Sequence, residues 1–205
     1  MDLNIENIKS WMECTKEKIE ANQQYLTKLD QAIGDGDHGV NMTRGFREVL
    51  VKINETNYDS VSELMKDIAM TILSKVGGAA GPLYGTAFLK LSLPWQGEKS
   101  INCTTFSEGL RKALEEMKRR GRTERGEKTM VAVREAVVQY VERAEPIETN
   151  QLRIVAKEAV EKTKEMIGTK GRAAYFKENT IGHIDPGAMS SYFLFESLCE
   201  ALEEK

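Results

Sequence analysis

Histidine occurs only twice and cysteine three times, with no CxxC pair, in the 205 residues. That leaves too few imidazole and thiolate ligands for a zinc site. Cys14, Cys103 and Cys199 are far apart and odd in number, which argues against a disulfide framework and for reduced thiols. No apolar run reaches the length of a membrane span, and the amino terminus, MDLNIENIKSWMECTKEK, starts acidic and lacks a signal-type hydrophobic stretch. A cytoplasmic protein is expected. Positive charge is not in excess either: 29 Lys and Arg face 32 Asp and Glu, for a formal net charge of -3 and a pI near 5.6. Neither nucleic acid nor an anionic membrane is therefore expected as a partner, and any phosphate has to be gripped by a local site. Internal repeats, low-complexity tracts and Pro/Gly/Ser linkers are also missing, so residues 1–205 are expected to form one domain.

What the chain does have is helical periodicity. Hydrophobic residues make up 40% and charged residues 30%, enough apolar surface for a sizeable core. Val61, Leu64, Met65, Ile68 and Ile72 recur at the spacing of one helix face. Ser60 precedes them with Glu63 three residues on, a capping-box signature that Thr105 and Glu108 repeat. Similar stripes near residues 5–30, 40–53, 82–93, 105–120, 128–143, 151–168 and 187–203 bring the expectation to about eight helices and no strand series. Between them fall GDGDHG at 34–39, VGGAAGP at 76–82, RRGRTERGEK at 119–128 and a long connection at 168–187.

Chemistry concentrates in Asp30-Gln31-Ala32-Ile33-Gly34-Asp35-Gly36-Asp37-His38-Gly39. Like charges about 4 Å apart repel by roughly 1–4 kcal/mol per pair in wet surroundings. Three carboxylates turned inward together therefore require a compensating cation. Oxygen-only ligands suit Mg²⁺, which usually completes its coordination with water and phosphate oxygens. An EF-hand starting at Asp35 would place Phe46 where a bidentate glutamate belongs. A dinucleotide fingerprint fails as well, since no strand precedes it and two aspartates would repel a bare pyrophosphate. A solvated Asp/Gly turn remains the competing reading of GDGD alone.

Gly77-Gly78-Ala79-Ala80-Gly81-Pro82 joins two helices, and Pro82 suits the first turn of the second. Small residues there let backbone N–H groups approach a phosphate at a helix N-terminus, or simply let helices pack closely. No GKS or GKT follows, so this is not a Walker loop. The basic run from Arg119 to Lys128 reads either as a solvated turn or as a phosphate or partner contact. Asp185 before Pro186 has the form of an N-cap and first helical residue.

Taken in order, YLTKLDQAIGDGDHGVNMTRGF, SKVGGAAGPLYGT, GRTERGEKTM, GRAAY and IGHIDPGA resemble the nucleotide-binding L subunit of dihydroxyacetone kinases nearly end to end. The resemblance implies an all-α fold, an eight-helix up-and-down antiparallel barrel with the nucleotide site at one end. It implies two Mg²⁺ ions on Asp30, Asp35 and Asp37, and ADP or ATP phosphates near His38, Gly39, Val40, Asn41, Ala79 and Ala80. Gly121, Met130, Arg172, Asp185, Pro186 and Gly187 would serve the adenosine side and a closing loop. Ala80, Glu127 and Ala132 depart from the family's usual serine, aspartate and acidic residue.

By the same resemblance the chain is a kinase subunit, active only beside a separate K subunit that holds dihydroxyacetone on a histidine. The phosphate would come from a phosphoprotein (M subunit) of the phosphoenolpyruvate-dependent phosphotransferase system or from free ATP. No acid or base is identifiable in this chain itself. A kinase subunit for another small ketose or polyol, and a nucleotide sensor docking on a transcriptional regulator, are the alternative readings.

Overall fold

The computed structural model describes residues 3–203. Nine α-helices are found among them: α1 (Ile5–Ala21), α2 (Gln23–Ile33), α3 (His38–Asn54), α4 (Val61–Lys75), α5 (Ala80–Ser92), α6 (Cys103–Gly121), α7 (Val131–Val141), α8 (Thr149–Lys162) and α9 (Pro186–Glu203). The count exceeds the sequence expectation because the stretch at 5–30 divides at Asn22. There the side-chain amide and backbone N–H both bond the Lys18 carbonyl, which ends α1 by offering its backbone a local alternative to the helix ladder.

Ser60 caps α4 as its sequence indicates, accepting from the Glu63 N–H at 3.3 Å. The second expected cap is displaced. Asn102, three residues earlier than Thr105, accepts the Thr105 N–H at 2.9 Å, and Thr105 lies inside the first turn of α6. Asparagine at the end of a non-helical segment caps as well as threonine does. One short antiparallel pair, β1 (Leu3–Asn4) with β2 (Ser100–Ile101), ties the start of α1 to the connection before α6.

Eight of the helices close a ring, since α1, α3, α4, α5, α6, α7, α8 and α9 each pack against the next, and α9 returns to α1. Helix α2 sits outside this ring against α3 and α9. Within it lies one continuous apolar core that includes Trp11, Phe46, Phe88, Phe106 and Phe195, each such side chain contributing about 1.5–3 kcal/mol on burial. The indole N–H of Trp11 donates to the Leu194 carbonyl at 2.7 Å and pins α1 to α9. Helix α9 buries nearly its whole circumference, which is why its apolar residues show little amphipathic contrast. No helix among the described residues is long and apolar enough to cross a membrane.

Alternation around the ring positions the site. The N-terminal ends of α3, α5, α7 and α9 and the residues at or just after the C-terminal ends of α4 and α6 line one cleft. Four helix N-termini thus direct partial positive charge towards a common volume.

Candidate functional site

The cleft encloses about 640 Å³, within the range of small-molecule sites. The last turn of α2 places Asp30 on its inner wall, buried, while Asp35 and Asp37 stand exposed on the turn before α3. Carboxylate oxygens of the three lie within 4.8 Å of one another. The Asp30 carboxylate accepts the His38 backbone N–H at 3.0 Å. Burial still pushes its pKa above the ordinary value, and the neighbouring charges of Asp35 and Asp37 add to the rise.

A side-chain cation reaches this cluster: Arg172 Nε lies 2.9 Å from Asp35 Oδ2. The donor set fits a hard divalent cation, for it consists of oxygen only, converges, and holds more negative charge than one guanidinium offsets. Gly78 closes the cleft from the opposite side. Its φ of +64° is costly for other residues, and a Cβ there would sit 3.6 Å from Asp37 Oδ1, so the glycine loop faces the carboxylates directly.

Asp35, Asp37, His38, Ala79, Ala80, Gly121, Met130, Arg172, Asp185, Pro186 and Gly187 all line this cleft with Asp30. Three of the residues that the sequence pointed to do not. Gly39 packs where α3 begins against α2; a Cβ would lie 2.2 Å from the Gln23 carbonyl oxygen. Val40 is exposed to solvent and is not part of the cleft lining. Asn41 already spends its N–H on the Asp37 carbonyl, and its side chain accepts from Arg44.

Lys128 is a residue whose importance the sequence hides. Read in a basic run, it looks solvated, yet its side chain is 1% exposed. Its ammonium donates to the carbonyls of Thr163, Met166 and His183, joining the α6–α7 connection to the end of α8 and to the turn before α9. Burial lowers its pKa, with nearby Asp185 opposing the drop. Glu127 makes a second tie, accepting the Glu124 N–H at 2.7 Å and the Thr169 hydroxyl at 3.0 Å. A shorter aspartate would not span both loops as readily.

Asp185 caps α9 through Ala188 N–H at 2.7 Å, and Pro186 follows at the first helical position, as expected. Burial pushes the Asp185 pKa up to about 6, partly offset by the Ala188 and Gly187 N–H groups and Lys128. The folded chain thus binds a proton between about pH 4 and 6 that the unfolded chain, with a carboxylate near 3.8, releases. Ligand-free stability should fall as pH rises through this window, by about 3 kcal/mol at most. In thermal unfolding with chelator, Asp185→Asn, which keeps the cap, is expected to reduce the slope between pH 4 and 7; an unaltered slope contradicts the assignment.

His38 is also buried, which pushes its pKa down to about 4, and its Nε2 lies 2.9 Å from the Ser190 hydroxyl on α9.

Compared with known proteins, residues 32–200 match the family model described as the DAK2 domain. The chain is 42% identical over 200 residues to the PTS-dependent dihydroxyacetone kinase, ADP-binding subunit DhaL, of Lactococcus lactis subsp. lactis, covering 98% of this chain and 99% of that one. It is 35% identical to the PEP-dependent dihydroxyacetone kinase, ADP-binding subunit DhaL, of Escherichia coli, with 100% of both chains covered. A crystal structure of the dihydroxyacetone kinase from C. freundii in complex with AMP-PNP and Mg²⁺ shares the fold, with a TM-score of 0.75 at 20% identity over 94% of this chain and 33% of that one.

Proposed function

The chain belongs to the DAK2 domain family, and from that membership we propose that it is the ADP-binding subunit of a dihydroxyacetone kinase. The observation that carries the reading is the meeting of three carboxylates with four helix N-termini at one end of the ring. Each group alone has structural explanations. Together they match a phosphate chain and its counter-cations.

Asp30, Asp35 and Asp37 would hold Mg²⁺, two ions by the family resemblance, and bound Mg²⁺ supplies charge neutralisation at the phosphates. The rest falls to this chain's own groups. N–H groups at the start of α5 bind phosphate oxygens in fixed directions, so little reorganisation is needed as charge shifts during transfer. Arg172 exchanges Asp35 for a phosphate oxygen once the carboxylate has a cation. Met130, Pro186 and Gly187 form the less polar wall suited to adenine, and the two loops tied by Lys128 and Glu127 keep water from that wall.

Phosphoryl transfer needs positioning more than a covalent protein group, and the acceptor sugar would be carried by a separate sugar-binding K subunit. The close kinship with relatives named as PTS- or PEP-dependent favours a phosphotransferase-system phosphoprotein as donor, with ADP held as a fixed coenzyme.

The test is reconstitution. Purified chain with Mg²⁺, dihydroxyacetone, a sugar-binding subunit and either phosphorylated carrier protein or ATP is expected to form sugar phosphate, and the chain alone to form none. Absence of product with both donors, using protein that binds ADP, would reject the kinase assignment.

A further inference from the structure

A buried chain of hydroxyls runs from inside the helical ring to His38. Tyr84, on α5, is fully buried, and its hydroxyl lies 2.7 Å from Ser190 Oγ and 2.9 Å from Ser191 Oγ. Ser190 Oγ lies in turn 2.9 Å from His38 Nε2 and 3.1 Å from the Gly187 carbonyl. The Arg134 guanidinium sits over the Tyr84 ring at 4.8 Å and the Phe195 ring at 5.7 Å, which fixes the phenol in place. Being donor-only, Arg134 cannot take the tyrosine proton.

Proton counting then selects one arrangement. A serine hydroxyl has one proton and two lone pairs, whereas the Gly187 carbonyl only accepts. If Ser190 donates to Gly187, its lone pairs receive the Tyr84 O–H and a His38 Nε2–H, and Ser191 donates to the tyrosine oxygen. These four contacts are then hydrogen bonds, and only the longest contact of the cluster, from the Tyr84 hydroxyl to the Gly187 carbonyl at 3.3 Å, lacks a proton. If Ser190 instead gives its proton to His38, its contact with Gly187 at 3.1 Å lapses, and the single Tyr84 proton can serve Ser190 or the Gly187 carbonyl but not both, so two contacts of the cluster are left without a proton.

We propose that Tyr84 and Ser190 are positioning residues that hold His38 in its Nε2–H tautomer, leaving Nδ1 as a hydrogen-bond acceptor for the cleft. Nδ1 has no protein partner among the described residues. An acceptor beside the phosphates repels their oxygens and attracts O–H groups. His38 therefore orients a water or an incoming hydroxyl next to the phosphates instead of gripping a phosphate oxygen. This role rests on the nucleotide reading of the cleft, but the tautomer does not.

The measurement is a long-range ¹⁵N–¹H correlation spectrum of protein labelled in its imidazole rings, free of metal and nucleotide, near pH 7.5. His38 and His183 are the chain's two histidines, and His183→Gln assigns the signals. His38 is expected to show a protonated Nε2 and an unprotonated Nδ1. In Ser190→Ala its pattern should shift towards a mixture of tautomers. A protonated Nδ1 in the unsubstituted protein, alone or with Nε2, overturns the proposal, as does an unchanged His38 pattern in Ser190→Ala. Either result in protein that binds Mg-ADP normally removes this inference and leaves the nucleotide site standing.

Discussion

Asp37→Asn is expected to weaken Mg-ADP binding by at least two orders of magnitude, while raising the thermal midpoint of the metal-free protein. Both effects come from one cause. Asp37 shares its surroundings with Asp30 and Asp35, all three offering oxygens within 4.8 Å, and the pKa of Asp30, raised first by burial, is raised further by its two charged neighbours. Asparagine fills nearly the same volume without the charge, so the ligand-free cluster relaxes. With cations present, a ligand is lost, and even residues that merely orient metal ligands cost about 10–100-fold when replaced. Asp35→Asn should show the same binding loss with less gain in stability, because it also breaks the ion pair with Arg172. Calorimetric titration with ADP, beside thermal unfolding in chelator, reads both quantities. Unchanged affinity in either variant contradicts the metal assignment, and a lowered midpoint for Asp37→Asn contradicts the electrostatic account.

Lys128→Met carries the second large effect, with an expected loss of about 3–5 kcal/mol of stability. Methionine replaces the hydrocarbon stem but leaves the carbonyls of Thr163, Met166 and His183 without their shared donor. Each buried polar group left unsatisfied costs about 1–3 kcal/mol. For a chain of this size the midpoint should fall by about 6–20 °C. The loosened segment includes the Asp185 N–H, which donates to the Thr163 hydroxyl at 3.1 Å, so the cap of α9 and the cleft wall loosen together. Limited proteolysis should then cut first between residues 166 and 183. A midpoint within 2–3 °C of the unsubstituted protein, the size of a roughly 1 kcal/mol change, means the ammonium does not hold these loops.

Helix content was legible in the sequence because apolar residues fall at helical spacing almost throughout. Closure of the ring was not legible in periodicity. A stripe shows that a face is buried without naming its partner, so the meeting of α9 with α1 came only through family resemblance. The break at Asn22 was missed since both flanking segments keep a helical pattern and no Gly or Pro marks it.

In the site, Asp30, Asp35 and Asp37 stood out because carboxylates at that density need a cation. Lys128, Tyr84 and Ser190 carried no such signal. A lysine in a charged run resembles a solvated one, and a tyrosine or serine on a helix shows its partners only when the helices pack. Gly39, Val40 and Asn41 come from the resemblance alone; they do not line the cleft, although the Asn41 side chain abuts the glycine loop at Gly77 and Gly78.

Calorimetry on folded protein freed of endogenous nucleotide tests the central claim most directly. Titrating ADP in the presence of Mg²⁺ should release or absorb measurable heat with saturable, one-to-one binding, and the signal should vanish in chelator. Binding that is equally strong without divalent cation, or no binding at all, would contradict the account.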